Sequence, residues 1–334
     1  MTEIENGVRR LKGILERIFH HSAGRETYET AVNAAIENYY RAGDLRRLGE
    51  FAEEAIYSSD GKTRARGIRA LDRIVKLAEK TEPSQKGRWA TDTITDFKGK
   101  ARKYSVYLPP GYENSMERYP VVYVMHGLMT PINSPSGLKS SGEYWKKGLE
   151  LDTMLDRLIS SGAIHKMIFV MPDMGAMPLR PSGRNEEFLV NTLIPEVDNK
   201  YRTVPDKNHR AIDGYSLGAR LSIGIASKNP DKFSSAGGHN GTYHGTAPKR
   251  IEGLKVYLSS SIWDPLSITK TRRVAKTVEG GGNVAYDQHK MITASLPTPF
   301  HSHQMWKRGL EMSFIYHSMN FKRSERSALS FLYH

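Results

Sequence analysis

The hydrophobic pattern divides the chain into two parts. From residue 3 to about residue 82, apolar residues recur at steps of three and four, which is the spacing of one face of an α-helix. Four amphipathic helices are predicted, with apolar stripes at Ile4–Ile18, Tyr28–Tyr39, Leu45–Ile56 and Ile68–Ala78. Single glycines separate these stripes, so we expect short connections and a small helical bundle. A packing role, or the joining of copies into a homo-oligomer, is expected for this module over residues 1–82.

Beyond Thr81–Gly87 the pattern changes to apolar runs that alternate with helical stretches. Strands are predicted at Ala101–Leu108, Tyr119–Met125, Lys166–Met171, Arg210–Ile212, Leu254–Leu258 and Asn283–His289. Helices are predicted around 144–160, 186–200, 217–229, 266–279 and 303–319. Such alternation is typical of an α/β fold with a mostly parallel sheet and helices on both faces. The predicted division is therefore a second domain at 101–334, joined through a linker and first edge strand at 83–100.

The amino-acid composition excludes several classes of protein and of functional site. The 334 residues include 38% hydrophobic and 25% charged residues, and no apolar run approaches the roughly 18 residues of a spanning helix. The absence of cysteine excludes disulfides, thiol nucleophiles and zinc–thiolate sites. The N-terminal residues lack the apolar core of a secretory signal, so we expect a cytoplasmic protein, or a secreted one if the sequence has been trimmed.

The formal net charge of +13 raises the question of nucleic acid as a partner. The basic residues are scattered singly or in pairs, as at Lys146-Lys147, without an arginine-rich arm or a known recognition motif. We interpret them as solvated surface residues, and we expect neither nucleic-acid binding nor membrane binding. Attraction of an acidic substrate is the alternative that this charge leaves open.

The strongest chemical signal is the pentapeptide Gly214-Tyr215-Ser216-Leu217-Gly218, a G-x-S-x-G motif. It follows a predicted strand and opens a predicted helix, as a nucleophile elbow requires. Ser216 is therefore the candidate nucleophile. The backbone N–H of Leu217, directly after it, is one candidate donor to the oxyanion that forms during acyl transfer.

A serine nucleophile needs a base, and the base needs an acid to orient it. In the order Ser, Asp, His, the acid candidate is Asp264, which follows the strand 254–258 at the sheet edge where ligands bind. A helix cap before Pro265 is the alternative role for this aspartate. His301 and His303 both lie in the loop before the last helix, and topology alone does not separate them as the base.

The second part of the chain resembles the putative-esterase family of α/β-hydrolases, which includes feruloyl, acetylxylan and enterochelin esterases. The resemblance covers residues 101–320 and is carried by the segments Tyr107–Tyr112, Tyr119–Gly127, Val170–Asp173, Leu193–Val197, Arg210–Gly218 and Asn229–Phe233. It implies an α/β-hydrolase fold. In that family the catalytic histidine precedes a tryptophan by five residues, a spacing that His301 and Trp306 match, so the resemblance favours His301 over His303.

The resemblance also implies an activity. We expect a serine carboxylesterase that hydrolyses feruloyl or acetyl esters of carbohydrates, with a small-molecule or oligosaccharide ester as its partner and no cofactor or metal. The second oxyanion donor would be the amide of Leu128, or else that of Met129, while His126 would brace their loop. The alternatives are an acyltransferase using the same triad and a non-catalytic binding or scaffold protein on a hydrolase fold.

The chain departs from the family pattern in three places, the first being the loop after His126, where a proline-bearing stretch at Thr130–Gly137 replaces the usual glycines. Arg220 stands near the start of the helix after the nucleophile, and Pro299-Phe300 precede His301 where a glycine is common. These departures leave the three candidate catalytic residues intact, and they bear on the identity of the substrate.

Overall fold

One mixed sheet organises the protein in the computed structural model, which describes residues 25–58, 60–127, 141–174, 183–243, 253–279, 284–289 and 301–331. The strands are β1 (Arg88–Thr95), β2 (Ala101–Leu108), β3 (Val121–Met125), β4 (Ile168–Pro172), β5 (Arg210–Gly214), β6 (Ser235–His239), β7 (Lys255–Ser261) and β8 (Val284–His289). The α-helices are α1 (Arg25–Arg41), α2 (Leu45–Ala55), α3 (Gly61–Ala78), α4 (Leu151–Ser160), α5 (Gly183–Glu187), α6 (Ile194–Lys200), α7 (Leu217–Lys228), α8 (Ile268–Glu279) and α9 (His303–Phe331).

The strands lie in the order β1-β2-β4-β3-β5-β6-β7-β8. From β4 to β8 all neighbours are parallel, whereas β2 runs antiparallel to both β1 and β4. Every residue of β3 is buried, because a parallel strand is covered by helices on both faces. The predicted α/β architecture with a mostly parallel sheet is thus confirmed.

Alternate residues of the strands feed two apolar cores. Val122 and Val124 of β3 belong to the core that α4 and α9 cover. Val121 and Tyr123 belong to the opposite core, which also takes in apolar residues of α6, α7 and α8. This period of two is what a strand between two helical layers requires.

The N-terminal helices pack on the hydrolase-like part instead of standing apart from it. Leu71 and Ile74 of α3 lie in the same buried apolar cluster as Leu310 and Phe314 of α9. Asp44 and Asp60 cap α2 and α3 by accepting hydrogen bonds from backbone N–H groups three residues on. The first predicted helix, Ile4–Ile18, lies outside the described residues, and the division at residue 82 stays a prediction.

Several predicted elements differ in extent from the structure. The helix expected over 144–160 starts as a π turn at Tyr144–Gly148 and begins again at α4. The helix expected over 186–200 includes a second π turn, Phe188–Leu193, between α5 and α6. The last helix extends to Phe331, well past the predicted end at 319. The strand β6 was not predicted at all.

Candidate active site

The turn between β5 and α7 carries Ser216 in a backbone conformation that few residues other than glycine adopt. Its φ is +54° and its ψ is −118°, so the neighbouring structure must hold the serine in place. Gly214 and Gly218 make this turn sterically feasible. A Cβ on Gly218 would lie 2.2 Å from the carbonyl oxygen of Met125, and one on Gly214 would lie 2.6 Å from the backbone of residue 218.

Asp264 lies in the loop between β7 and α8 and is completely buried. Its Oδ1 accepts a hydrogen bond from the N–H of Leu266 at 3.0 Å, as a capping residue would. Its Oδ2 accepts from the amide of Asn240 at 2.9 Å and from the hydroxyl of Ser267. The carboxylate therefore serves as a local cap and also presents one oxygen toward the elbow.

His301, two residues before α9, joins the other two side chains. Its Nδ1 is 2.8 Å from Asp264 Oδ2, and its Nε2 is 3.0 Å from Ser216 Oγ. The imidazole also packs edge-on against Trp306, at 5.6 Å between ring centroids. Three residues far apart in the sequence are thus within hydrogen-bonding distance of one another.

The charge state of Asp264 determines which nitrogen of His301 carries the proton. Burial acts to raise the pKa of its carboxyl, but hydrogen bonds from His301, Asn240 and Ser267 outweigh burial and hold the pKa below its usual value. The ionised carboxylate accepts the Nδ1–H of His301, which leaves Nε2 with a lone pair toward the Ser216 hydroxyl. An imidazole so oriented can take a proton from the serine as that oxygen attacks a carbonyl carbon.

His303, the alternative base, points elsewhere. Its Nδ1 lies 3.0 Å from the hydroxyl of Tyr144, and its ring packs against Trp306 at 5.0 Å between centroids. Burial lowers the pKa of this imidazole. The structure therefore brings His301, and not His303, between Ser216 and Asp264.

The chain after β3 passes directly against the nucleophile. A Cβ on Gly127 would lie 2.9 Å from the ring of Tyr215 and 3.3 Å from the Ser216 Cβ. His126 is buried, donates from Nδ1 to the Gly127 carbonyl at 2.7 Å and accepts the N–H of Met174 at Nε2 at 3.0 Å. Burial lowers its pKa, consistent with a neutral ring that braces this loop.

The two predicted oxyanion donors differ in what the structure describes of them. Leu217 is the first residue of α7, so its N–H lies at the N-terminus of the helix that follows the nucleophile. Leu128 and Met129 lie outside the described residues. Arg220, one turn further along α7, is buried.

Asn240 is a site residue that sequence reasoning missed. It follows β6, has a φ of +47° and holds Asp264 through its side-chain amide. Its own N–H donates to the carbonyl of Ser259 at 2.8 Å. Asparagine is among the few residues that tolerate the left-handed region, so an asparagine after a strand is the only sequence signal for this role.

Among the residues that the structure describes, no group of three or more His, Asp or Glu side chains is arranged to hold a metal ion. Over the same ranges, none of the helices combines the length and the apolar character needed to cross a membrane.

The sheet order and the serine elbow define an α/β-hydrolase. The solved ferulic acid esterase of Anaeromyces mucronatus superimposes with a TM-score of 0.56 at 20% identity, over 72% of this chain and 94% of that one. The enterobactin esterase of Shigella flexneri gives a TM-score of 0.52 at 13% identity, over 71% and 60%. A family model described as putative esterase matches residues 98–326. The chain belongs to this family, as the sequence resemblance predicted.

A curated relative shares part of this sequence. An endo-1,4-β-xylanase/feruloyl esterase of Xylanibacter ruminicola is 30% identical over 151 residues, which are 40% of this chain and 19% of that protein. The chain therefore matches only about a fifth of the length of this relative.

Proposed function

We propose that this protein is a serine hydrolase of carboxylic esters. The proposal rests on one observation, the hydrogen-bonded series from Ser216 through His301 to Asp264 at 3.0 and 2.8 Å. Membership of the esterase family supports the same activity. No other group near Ser216 in the described residues is needed to activate it.

The geometry suggests the following steps. Ser216 Oγ attacks the ester carbonyl carbon while His301 Nε2 accepts the hydroxyl proton, and Asp264 stabilises the imidazolium. The N–H of Leu217, together with an amide of the loop after β3, stabilises the oxyanion of the tetrahedral intermediate. The intermediate collapses, and His301 returns its proton to the departing alcohol oxygen. Water then attacks the acyl-enzyme with the same base and releases the acid.

For the substrate, we propose feruloyl or acetyl esters of carbohydrates. The names of the similar proteins support the feruloyl part of this class, since a feruloyl esterase and a ferulic acid esterase are among them. The alcohol portion would then be a sugar hydroxyl of a small molecule or an oligosaccharide.

Ser216→Ala is the decisive variant. Hydrolysis of p-nitrophenyl acetate and of methyl ferulate should fall by roughly 10³-fold or more, because the attacking oxygen is lost. Ser227→Ala on the same helix α7 is the matched control and should retain activity, since Ser227 Oγ donates to the Gly224 carbonyl at 2.9 Å within the helix. Circular dichroism should show both variants folded. Equal rates in wild type and Ser216→Ala would contradict the proposal.

The two substrates also test the acyl class. Activity on methyl ferulate well above that on p-nitrophenyl acetate, relative to the uncatalysed rates, supports the feruloyl assignment. Hydrolysis of the acetate alone would restrict the proposal to acetyl esters. Formation of a new ester when a sugar alcohol is added would indicate acyl transfer by the same groups.

A further inference from the structure

A second set of histidines surrounds a carboxylate directly behind the nucleophile. Asp213 of β5 is fully buried, as are His239 at the end of β6 and His317 in α9. His239 Nε2 is 2.9 Å from Asp213 Oδ1, and His317 Nε2 is 2.9 Å from Asp213 Oδ2. The proposed reaction uses none of these side chains.

Each imidazole is held at its other nitrogen by a serine. His239 Nδ1 lies 2.8 Å from Ser259 Oγ, and His317 Nδ1 lies 2.8 Å from Ser235 Oγ. A serine hydroxyl that donates to Nδ1 leaves the ring proton on Nε2, from which it is donated to the carboxylate. The result is a series of hydroxyl, imidazole, carboxylate, imidazole and hydroxyl, to which Ser313 adds a third hydroxyl, 3.1 Å from His239 Nε2.

The backbone around the cluster leaves room for it. A Cβ on Gly237 of β6 would lie 2.1 Å from Asp213 Oδ2, and one on Gly309 of α9 would lie 2.6 Å from His239 Nδ1. Burial acts to raise the pKa of Asp213, but the two histidines outweigh it and hold the pKa below its usual value. A buried carboxylate needs hydrogen-bond donors to replace its lost hydration, and Asp213 has the two imidazoles and the N–H of Gly214, which is 2.5 Å from its Oδ1.

The cluster connects the elements that hold the candidate catalytic residues. Asp213 precedes Ser216 by three residues on the same strand and turn. The carbonyl of His239 accepts the N–H of Ser216 at 2.9 Å, and the next residue, Asn240, holds Asp264. His317 belongs to α9, the helix that His301 introduces.

We propose that Asp213, His239 and His317 form a buried positioning centre that sets the separation between Ser216 and His301. Asp213 is its central positioning residue, and the two histidines transmit its position to β6 and to α9. This inference rests on the proposed esterase function, since it concerns the geometry of the same reaction.

The test compares His317→Leu with His317→Gln. Leucine removes the donor to Asp213, whereas the glutamine amide can donate from the position of Nε2. We expect kcat per active site to fall about 10- to 100-fold in His317→Leu with KM little changed, because small displacements of reacting groups cost rates of this order. His317→Gln should restore most of that loss. Active sites are counted by the burst of p-nitrophenol from a p-nitrophenyl phosphonate.

The matched control is Asp206→Asn. It alters another His–Asp pair, because His209 Nδ1 lies 3.0 Å from Asp206, but this pair lies outside the core and ahead of β5. Its kcat should equal that of the wild type. A variant that only lowered stability would reduce the number of titrated sites and leave kcat per site unchanged.

The outcomes separate the two proposals. A wild type that neither hydrolyses esters nor reacts with the phosphonate contradicts the esterase function, and this inference with it. An active wild type with unchanged kcat per site in His317→Leu, or equal losses in His317→Leu and His317→Gln, overturns the positioning centre alone. If His317→Leu does not fold, the isosteric Asp213→Asn replaces it: a fall in kcat per site supports the inference, and an unchanged kcat overturns it.

Discussion

At the scale of single residues, the chemistry of the site depends on which imidazole faces the serine. His301 contacts both Ser216 and Asp264, while His303 contacts Tyr144. His303 is the first residue of α9 and His301 lies two residues before it, so replacing each in turn compares two imidazoles that are close in sequence but differ in their contacts.

We therefore predict that His301→Ala lowers kcat/KM on p-nitrophenyl acetate by roughly 10³-fold or more, since no group replaces it as the base. His303→Ala should lower it by less than about tenfold. Steady-state kinetics on the two purified variants provide the measurement. A larger loss in His303→Ala than in His301→Ala would show that the base has been misassigned.

The glycines of the elbow give a second prediction at this scale. Gly218→Ala places a methyl group 2.2 Å from the Met125 carbonyl, so β3 and α7 must move apart and esterase activity should be lost. Gly224→Ala, in the same helix with nothing within 4 Å of its Cβ, is the control. The control should retain activity and raise the free energy of unfolding by up to about 1 kcal/mol, because alanine favours helix. Retained activity in Gly218→Ala would contradict the steric argument.

Sequence reasoning selected Ser216, Asp264 and two candidate histidines because a strand–turn–helix motif and the order of residues along the chain are local or topological signals. It did not find Asn240 or the cluster of Asp213 and its two histidines. Their partners lie more than twenty residues away in sequence and come together only when β5, β6 and α9 pack. Contacts between residues so far apart produce no periodic pattern in the amino-acid sequence.

At the scale of secondary-structure elements, β6 is a strand that the side-chain pattern of its own sequence does not predict. Its sequence, Ser-Ala-Gly-Gly-His, contains no β-branched or large apolar residue, so nothing in it favours a strand. The neighbours β5 and β7 impose the conformation through parallel pairing on both sides. By contrast, β3 is apolar at every position, and the start of β7 includes the apolar run Val256-Tyr257-Leu258.

The contact between α4 and α9 gives a prediction for pH. Glu311 of α9 is buried against Arg157 of α4, and burial raises the pKa of its carboxyl from 4.5 to about 7 despite the guanidinium. The folded protein then binds this proton more tightly than the unfolded chain does. The stability it contributes is fully present below about pH 4.5 and is lost as the pH rises to about 7.

Glu311→Gln should remove that pH dependence. Between pH 4.5 and pH 7, the wild type should lose up to about 3 kcal/mol of its free energy of unfolding relative to the variant, as Glu311 becomes ionised. Urea denaturation of both proteins at a series of pH values provides the measurement. Parallel curves would show that Glu311 titrates alike in the folded and unfolded states.

At the scale of the whole molecule, α3 is tied to the sheet and to the last helix. Arg308 of α9 is 2.5 Å from Asp287 of β8 and 3.4 Å from Asp72 of α3. Leu71, next to Asp72, is fully buried in the core shared with α9. These contacts predict that the N-terminal helices and the esterase part unfold together.

Leu71→Ala tests this cooperativity. The variant should lose about 2–5 kcal/mol of stability in one transition, because the cavity opens in a shared core. Circular dichroism and esterase activity should decline at the same temperature. Gly49→Ala, on α2 with open space around its Cβ, is the control and should not destabilise the protein. An early transition that leaves esterase activity intact would instead support a separate helical module over residues 1–82.

The stacked rings of Tyr215 and Trp306 have a practical consequence. Their centroids are 4.1 Å apart and their planes nearly parallel, and they connect the residue before the nucleophile to the first turn of the helix behind His301. Indole emission responds to an adjacent phenol ring. The chain has four tryptophans, so a variant that keeps Trp306 alone is needed to isolate its signal. In that variant, we expect ultraviolet emission to change when the elbow and the start of α9 move relative to each other during turnover.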